Sequence, residues 1–246
     1  ENTLLREFGE MLSTADHKAR IERLLWEGKA TPALHLIPRM SAKEQVMYEA
    51  RASLIQDNKN ANYLVSQVSP ALKHDPGLLF DRLRFRLRKN DTPGIREILL
   101  MTPTDIPEPQ RWWKIREAEV RRAIDEGNYK IAARLLSNHG QTGGAPLADA
   151  LWLQGWMELE FLHQPKEAYQ RFYRMYDSVR TPVSKARAAY WAARAADKSG
   201  DAATAANWYA TAAQHPTAFY GQLAVAELSE SPLLSLPSEP TESLFG

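Results

Sequence analysis

The stretch TPVSKARAAYWAARAADKSGD, residues 181–201, spells out a helix together with both of its ends. Thr181-Pro182 stands in N-cap then N1 order: the hydroxyl can accept an orphan backbone N–H, and proline supplies a helical φ where no donor is needed. No Gly or Pro follows until Gly200. Ala186, Ala189, Tyr190, Ala193 and Ala196 recur at three and four, which is one face of a helix. Ser199-Gly200-Asp201 closes it, because glycine suits the left-handed C′ position and Asp201 can cap a following helix. That second helix runs to about Gln214, ahead of His215-Pro216. Of the 48 residues in 181–228, 17 are Ala, and small side chains let helix axes approach closely.

The same frame recurs upstream. Take a turn residue and look five and nine positions on: Gly28 leads to Ala33 and Ile37, Lys59 to Leu64 and Val68, Asn90 to Ile95 and Leu99. Gly127 leads to Ala132 and Leu136, His163 to Ala168 and Phe172, and Gly200 to Ala205 and Tyr209. The turn residues step by 31, 31, 37, 36 and 37 positions. Six matches in register predict a repeat protein of helix–turn–helix units. The expected fold is all-α, a superhelical array of antiparallel helix pairs (an α-solenoid, tetratricopeptide-like). Helices are expected near 2–12, 17–27, 31–38, 41–56, 60–68, 76–89, 93–100, 108–126, 128–138, 146–162, 165–178, 182–198, 202–214 and 217–228. No alternating β-branched run competes with them.

Two connectors interrupt the array: the Pro-rich 101–109 and the Gly-rich 138–146. Neither is long enough to split it, because each repeat needs its neighbours to bury its faces. One helical domain is therefore expected over 1–228. From Ser229 the composition turns to Ser, Pro and Glu, with no base, and 229–246 reads as a linker or tail. The chain opens Glu-Asn-Thr, with no initiator Met and no apolar leader core. The expectation is a removed leader or a piece of something longer.

Composition excludes several kinds of chemistry. The 246 residues are 44% hydrophobic and 25% charged, with 31 Lys+Arg against 30 Asp+Glu, so a real core is possible and disorder is not expected. A net charge of +1 does not advertise a nucleic-acid binder. No apolar run is long enough to span a bilayer. The absence of cysteine removes disulfides, thiolate metal sites and Cys nucleophiles together. Six scattered histidines give no HExxH pair, so no metal is expected. Gly140-Gln-Thr-Gly-Gly144 lacks the Lys-Ser/Thr of a phosphate loop and reads as a connector. Glu158 and Glu160, two apart on a helix, point about 200° from each other and cannot share a substrate atom. No catalytic residue and no cofactor is expected.

Two features could bind something. Arg82, Arg84, Arg86, Arg88 and Lys89 alternate with Leu83, Phe85 and Leu87, and residues 82–134 carry 13 bases against 8 acids. A helix spreads these arginines round more than half of its circumference. They form either a solvated face or an anion-binding stripe, with Arg84 and Arg88 as its candidates. Aromatics cluster at Trp112-Trp113, Trp152/Trp156, Tyr169/Phe172/Tyr173/Tyr176, Tyr190-Trp191, Trp208-Tyr209 and Phe219-Tyr220. Most such rings pack in cores, yet exposed ring faces stack on sugars and an adjacent Arg can hold acetamido or carboxylate oxygens. Tyr190, Trp191 and Arg194 make such a set.

Thr181-Pro-Val-Ser-Lys-Ala-Arg-Ala-Ala-Tyr-Trp-Ala-Ala-Arg-Ala-Ala196, Gly200-Asp-Ala-Ala, Trp208-Tyr209 and His215-Pro-Thr-Ala-Phe-Tyr-Gly-Gln-Leu-Ala224 together resemble the soluble lytic murein transglycosylases. The likeness is to the helical region just before their catalytic domain. Leu151-Trp-Leu-Gln-Gly-Trp156 and Asp16-His17 through Leu24-Leu25-Trp26 are compatible with it. One departure shows: Ala193 stands where that family has Gly in Tyr-Trp-x-Gly-Arg. The resemblance implies a U- or ring-shaped, non-catalytic domain of a periplasmic protein that supports its own catalytic domain and holds peptidoglycan glycan strands. Other cell-wall proteins are further implied partners. The parent enzyme would cleave the MurNAc–GlcNAc bond without hydrolysis, using a Glu in a lysozyme-like domain that 1–246 does not contain. The resemblance puts Phe219, Tyr220 and Gln222 near the docking side of that domain. The competing expectation is a helical-repeat adaptor that binds a peptide or protein on its concave face.

Overall fold

Most helix starts are set by a side-chain cap or a proline, and most turns by one left-handed residue. The computed structural model describes residues 12–103 and 105–229. Among them it contains thirteen α-helices, two 3-10 turns and no strand. In order these are α1 (Thr14–Trp26), α2 (Ala30–Leu34), α3 (Ala42–Ile55), α4 (Ala61–Gln67), α5 (Pro76–Arg88), α6 (Thr92–Met101) and α7 (Pro109–Asp125). They continue with α8 (Tyr129–Ser137), α9 (Gly144–Glu160), α10 (Pro165–Ser178), α11 (Pro182–Lys198), α12 (Ala202–Ala213) and α13 (Phe219–Leu228). The helix expected near 2–12 and the linker beyond 229 lie outside the described residues, apart from their last and first positions. The helix expected near 31–38 is shorter and gives way to a 3-10 turn at Ile37–Arg39, where Pro38 cannot donate to a continuing α-helix.

The turn frame read from the sequence lands on real turns. Gly28, Asn90, Gly127, His163 and Gly200 all have positive φ, between 53° and 84°. At four of them the next residue donates back across the turn: Lys29 to Leu24, Asp91 to Arg86, Asn128 to Ala123 and Asp201 to Ala196, each a Schellman-type closure. At the fifth, Gln164 N–H reaches Glu158 O instead. Asp201 then accepts from Thr204 N–H at 3.0 Å, and Thr181 accepts from Ser184 N–H at 3.3 Å. The second turn differs. Its left-handed residue is Asp57, not Lys59, because Asn58 N–H already closes onto Ser53 O at 3.0 Å. The positions five and nine beyond each frame residue are buried, except that Leu64 is only partly covered.

The chain divides into two compact units. The first comprises the described residues up to Val120 with Asn138–Gly140; the second comprises Arg121–Ser137 and the described residues from Gln141 onward. In the first, α1, α3 and α5 pack on one another around Ile21, Leu25, Tyr48, Leu54 and Leu78, with α2, α4 and α6 beside them. In the second, α9 to α13 each pack on the next, while α9 touches α11 and α11 touches α13. Its core is built from Ala189, Ala193, Ala196, Ala205 and Ala212 with Phe172, Tyr190 and Tyr209.

Candidate functional site

The arginine-rich helix α5 distributes its charges among different surroundings, as a 100° step per residue requires. The side chain preceding the run, Asp81, is buried against Arg51 of α3. Arg51 Nε donates to Asp81 Oδ2 at 2.7 Å, and its Nη1 donates to Glu22 Oε2 at 2.7 Å. Tyr48 O–H donates to the same Glu22 at 2.9 Å. Gly77 makes room for this guanidinium, since a Cβ there would stand 2.3 Å from Arg51 Nη1. Burial pushes the Asp81 carboxyl up to about 6 against the opposing pull of Arg51. Arg51 and Asp81 are enclosed and only Glu22 reaches the surface, so the cluster is structural.

Arg88, one of the two expected anion binders, is already engaged. Its Nη2 donates to the Leu54 carbonyl, its Nε stands 3.9 Å from Asp57, and its guanidinium lies over the Phe85 ring. Arg88 therefore ties α5 to the end of α3. Arg84, four residues earlier, points elsewhere. It lines an open depression of about 610 Å³ with Trp26, Glu27, Lys29, Phe80, Arg111, Lys114 and Ile115. Three elements of the first unit build it: the C-terminal turn of α1, the Phe80/Arg84 face of α5, and the Arg111/Lys114/Ile115 face of α7. Spacings of three and four residues place each pair or triplet on one side of its helix. Trp26 and Phe80 stack at 5.0 Å. Arg111 donates to the Trp26 carbonyl, so a cation neutralises the end of α1.

On another face of α5, Arg82, Arg86, Lys89 and Lys73 line a second cavity of about 500 Å³ with Phe85, Val65, Ser66, Asn62, Leu78 and Asp91. Arg86 pairs with Glu97 at 2.8 Å and Lys89 with Asp57 at 2.8 Å. Burial and the neighbouring Arg86 hold the Arg82 guanidinium below its ordinary value.

The remaining expected residues lie in the second unit and come together. Tyr190 is buried, and its ring meets Tyr220 at 5.5 Å and Trp191 at 6.0 Å. Arg194 donates to the Tyr190 hydroxyl at 3.4 Å, lies over Trp191 and stands 3.9 Å from Glu160. Phe219 packs edge-on against Tyr220 at 5.2 Å yet remains 65% exposed, and Gln222 is exposed. Tyr190 is thus a core residue with no free ring face, and the exposed part of this set is Phe219 and Gln222. Glu158 and Glu160, read as unable to cooperate, pair with different arginines: Glu158 with Arg171 at 3.1 Å and Glu160 with Arg194.

In the sequence, Arg111 and Lys114 stand out only as part of a local positive excess, and Trp26 only as part of a helical string. Nothing in the spacing of residues 26, 84 and 114 says that they meet; only the packing of α1, α5 and α7 does. Among the described residues no group of three metal-ligating side chains exists, and no helix is long and apolar enough to cross a membrane. No protein-family model, curated protein or solved structure matches the chain.

Proposed function

We propose that the chain is the non-catalytic helical domain of a periplasmic soluble lytic transglycosylase, its helix pairs stacked as a superhelix. In this reading it braces a catalytic domain and holds or positions peptidoglycan glycan strands while the MurNAc–GlcNAc bond is cleaved without hydrolysis. One observation carries the reading: the two strings behind the resemblance hold each other in the fold. Tyr190 and Trp191, from Tyr-Trp-x-x-Arg, pack against Tyr220, from His-Pro-Thr-x-Phe-Tyr-Gly-Gln-Leu, while Arg194 lies over Trp191. The second string folds back so tightly that a Cβ on Gly221 would come 2.0 Å from the His215 carbonyl oxygen. Strings that lie about 25 residues apart and determine one joint support a family-level likeness better than either does alone.

Sedimentation of purified chain with insoluble peptidoglycan sacculi, at low and raised salt, tests the binding half of this reading. Retention that falls with salt is expected. No retention at either salt overturns glycan holding and leaves a brace or a protein adaptor. Release of anhydro-muropeptides above a buffer control by pure chain overturns the non-catalytic assignment.

A further inference from the structure

We infer that the depression between α1, α5 and α7 is a binding site for an acidic saccharide. Arg84 and Lys114 would hold its carboxylate, and Trp26 would lie against its ring. The proposal rests on the glycan-binding reading above for its natural ligand, but its chemistry comes from the site.

Four cations face the depression against a single acid, Glu27. Two of the cations are spoken for: Lys29 pairs with Glu27 at 2.8 Å, and Arg111 holds the Trp26 carbonyl and Glu108. Arg84 and Lys114 make no hydrogen bond or ion pair among the described residues; Arg84 only lends its field to the buried Asp81. A guanidinium has five N–H donors in a planar fork suited to a carboxylate, and an ammonium has three more. Arg84 is held over the turn of α1, its Nη1 standing 4.0 Å from where a Gly28 Cβ would be. The donors are therefore positioned beside an aromatic wall and left without acceptors.

Two features select a sugar over a bare phosphate. The wall is apolar, with Trp26 stacked on Phe80 and Ile115 beside them, and aromatic faces and edges accept the C–H surface of a pyranose. Glu27 also lines the depression, and although it pairs with Lys29 its carboxylate can still accept from ligand hydroxyls, which a bare phosphate dianion lacks. The depression is open, so a chain can run across it, and its volume lies in the range of small-ligand sites.

The Trp26 indole N–H resonance, identified by its loss in Trp26→Phe, reports directly on the site. N-acetylmuramic acid and a glucuronate-containing oligosaccharide are expected to shift it in the wild-type chain. Neutral chitotetraose should bind about tenfold more weakly or worse, as should both acidic probes to Arg84→Gln/Lys114→Gln. Lys73→Gln/Arg82→Gln, in the other cavity, should leave the titration unchanged, and circular dichroism confirms that each variant is folded. Equal binding of chitotetraose overturns the proposal. So does indifference to the Arg84/Lys114 exchange, and so does inorganic phosphate competing as well as the saccharides. Sacculus sedimentation separates the two readings. A Trp26 shift without retention keeps this site and removes peptidoglycan as its ligand. Retention without a Trp26 shift does the reverse.

Discussion

Both units have apolar interiors, but they differ in what is added to them. The buried polar residues of the first unit include Arg51, Asp81, Arg116, Glu119 and His17, while those of the second, among the described residues, are Gln141 and Gln154. The second fills its interior with alanines and a run of aromatic contacts, in which Trp152 stacks on Trp156 at 5.7 Å and meets Trp191 edge-on at 5.9 Å. The difference concerns how a helix is held in place. A buried ion pair fixes position through directional bonds and becomes costly once one partner is lost. An alanine interface fixes position through close approach and is intolerant of added volume. The first unit should therefore fail by losing charge, and the second by gaining atoms.

Removing the Arg51 guanidinium tests this most severely. Arg51→Met keeps the stem but strands Asp81 and Glu22, and a broken buried pair typically costs about 3–5 kcal/mol. Chemical denaturation should show a loss of that size, with hydrogen-exchange protection falling first in α3 and α5 and least in α11. The pH dependence has a definite sign. The folded-state pKa of Asp81 is raised from 3.8 to about 6, mainly by burial. The stability contributed by its proton is fully present below about 3.8 and is lost as pH rises through 6. Wild type should thus gain stability relative to Asp81→Asn as pH falls from 7 to 4. A flat difference would mean that the pull of Arg51 at least offsets the burial of Asp81.

The opposite mode of failure is reached in the second unit by adding a single methyl group. Gly221 of α13 faces His215 O at 2.0 Å and Ala212 O at 3.0 Å from a built Cβ. Both obstacles are backbone, so neither can rotate away. Gly221→Ala should cost about 1–3 kcal/mol by overpacking. It should also release the Tyr220 ring from Tyr190 and Trp191, readable as a change in near-ultraviolet dichroism. A neutral outcome would show that the His215-Pro-Thr turn yields easily and that the alanine interface is less restrictive than its distances state.

What could be read from the sequence follows the same division. The turn frame was legible because left-handed residues and the buried positions five and nine beyond them are local consequences of one chain segment. It slipped at Lys59 because Asp57 tolerates positive φ nearly as well as a glycine-like residue, and sequence alone does not say which takes the role. The Arg51–Asp81 pair was illegible: Asp81 adjoins an arginine run that looks uniform, and the partner that matters lies on α3. Arg84 and Arg88 read as one stripe for the same reason. Only the fold shows that Arg88 is spent on the Leu54 carbonyl while Arg84 is left facing Trp26. Tyr190 looks like a possible sugar contact in the sequence because burial of its ring depends on Tyr209 of α12 and Tyr220 of α13.

The smallest expected effect compares two left-handed turn residues, one from each unit. Asn90 has φ 53° and His163 has φ 54°, so both hold an L-residue in the left-handed region. That conformation costs an ordinary residue roughly 1–2 kcal/mol, whereas asparagine visits it at little penalty. Glycine removes the penalty but adds about 0.4–1 kcal/mol of unfolded-state entropy to be lost on folding. The two terms leave Asn90→Gly near neutral or slightly destabilised, and His163→Gly stabilised by about 0.5–1 kcal/mol. Thermal melting followed by circular dichroism resolves a difference of that size. His163 is exposed and its side chain makes no hydrogen bond or ion pair among the described residues, so no lost contact confuses the reading. If His163→Gly instead destabilises as much as a core change, the 163 turn is held by its side chain. The left-handed position would then not be what joins α9 to α10.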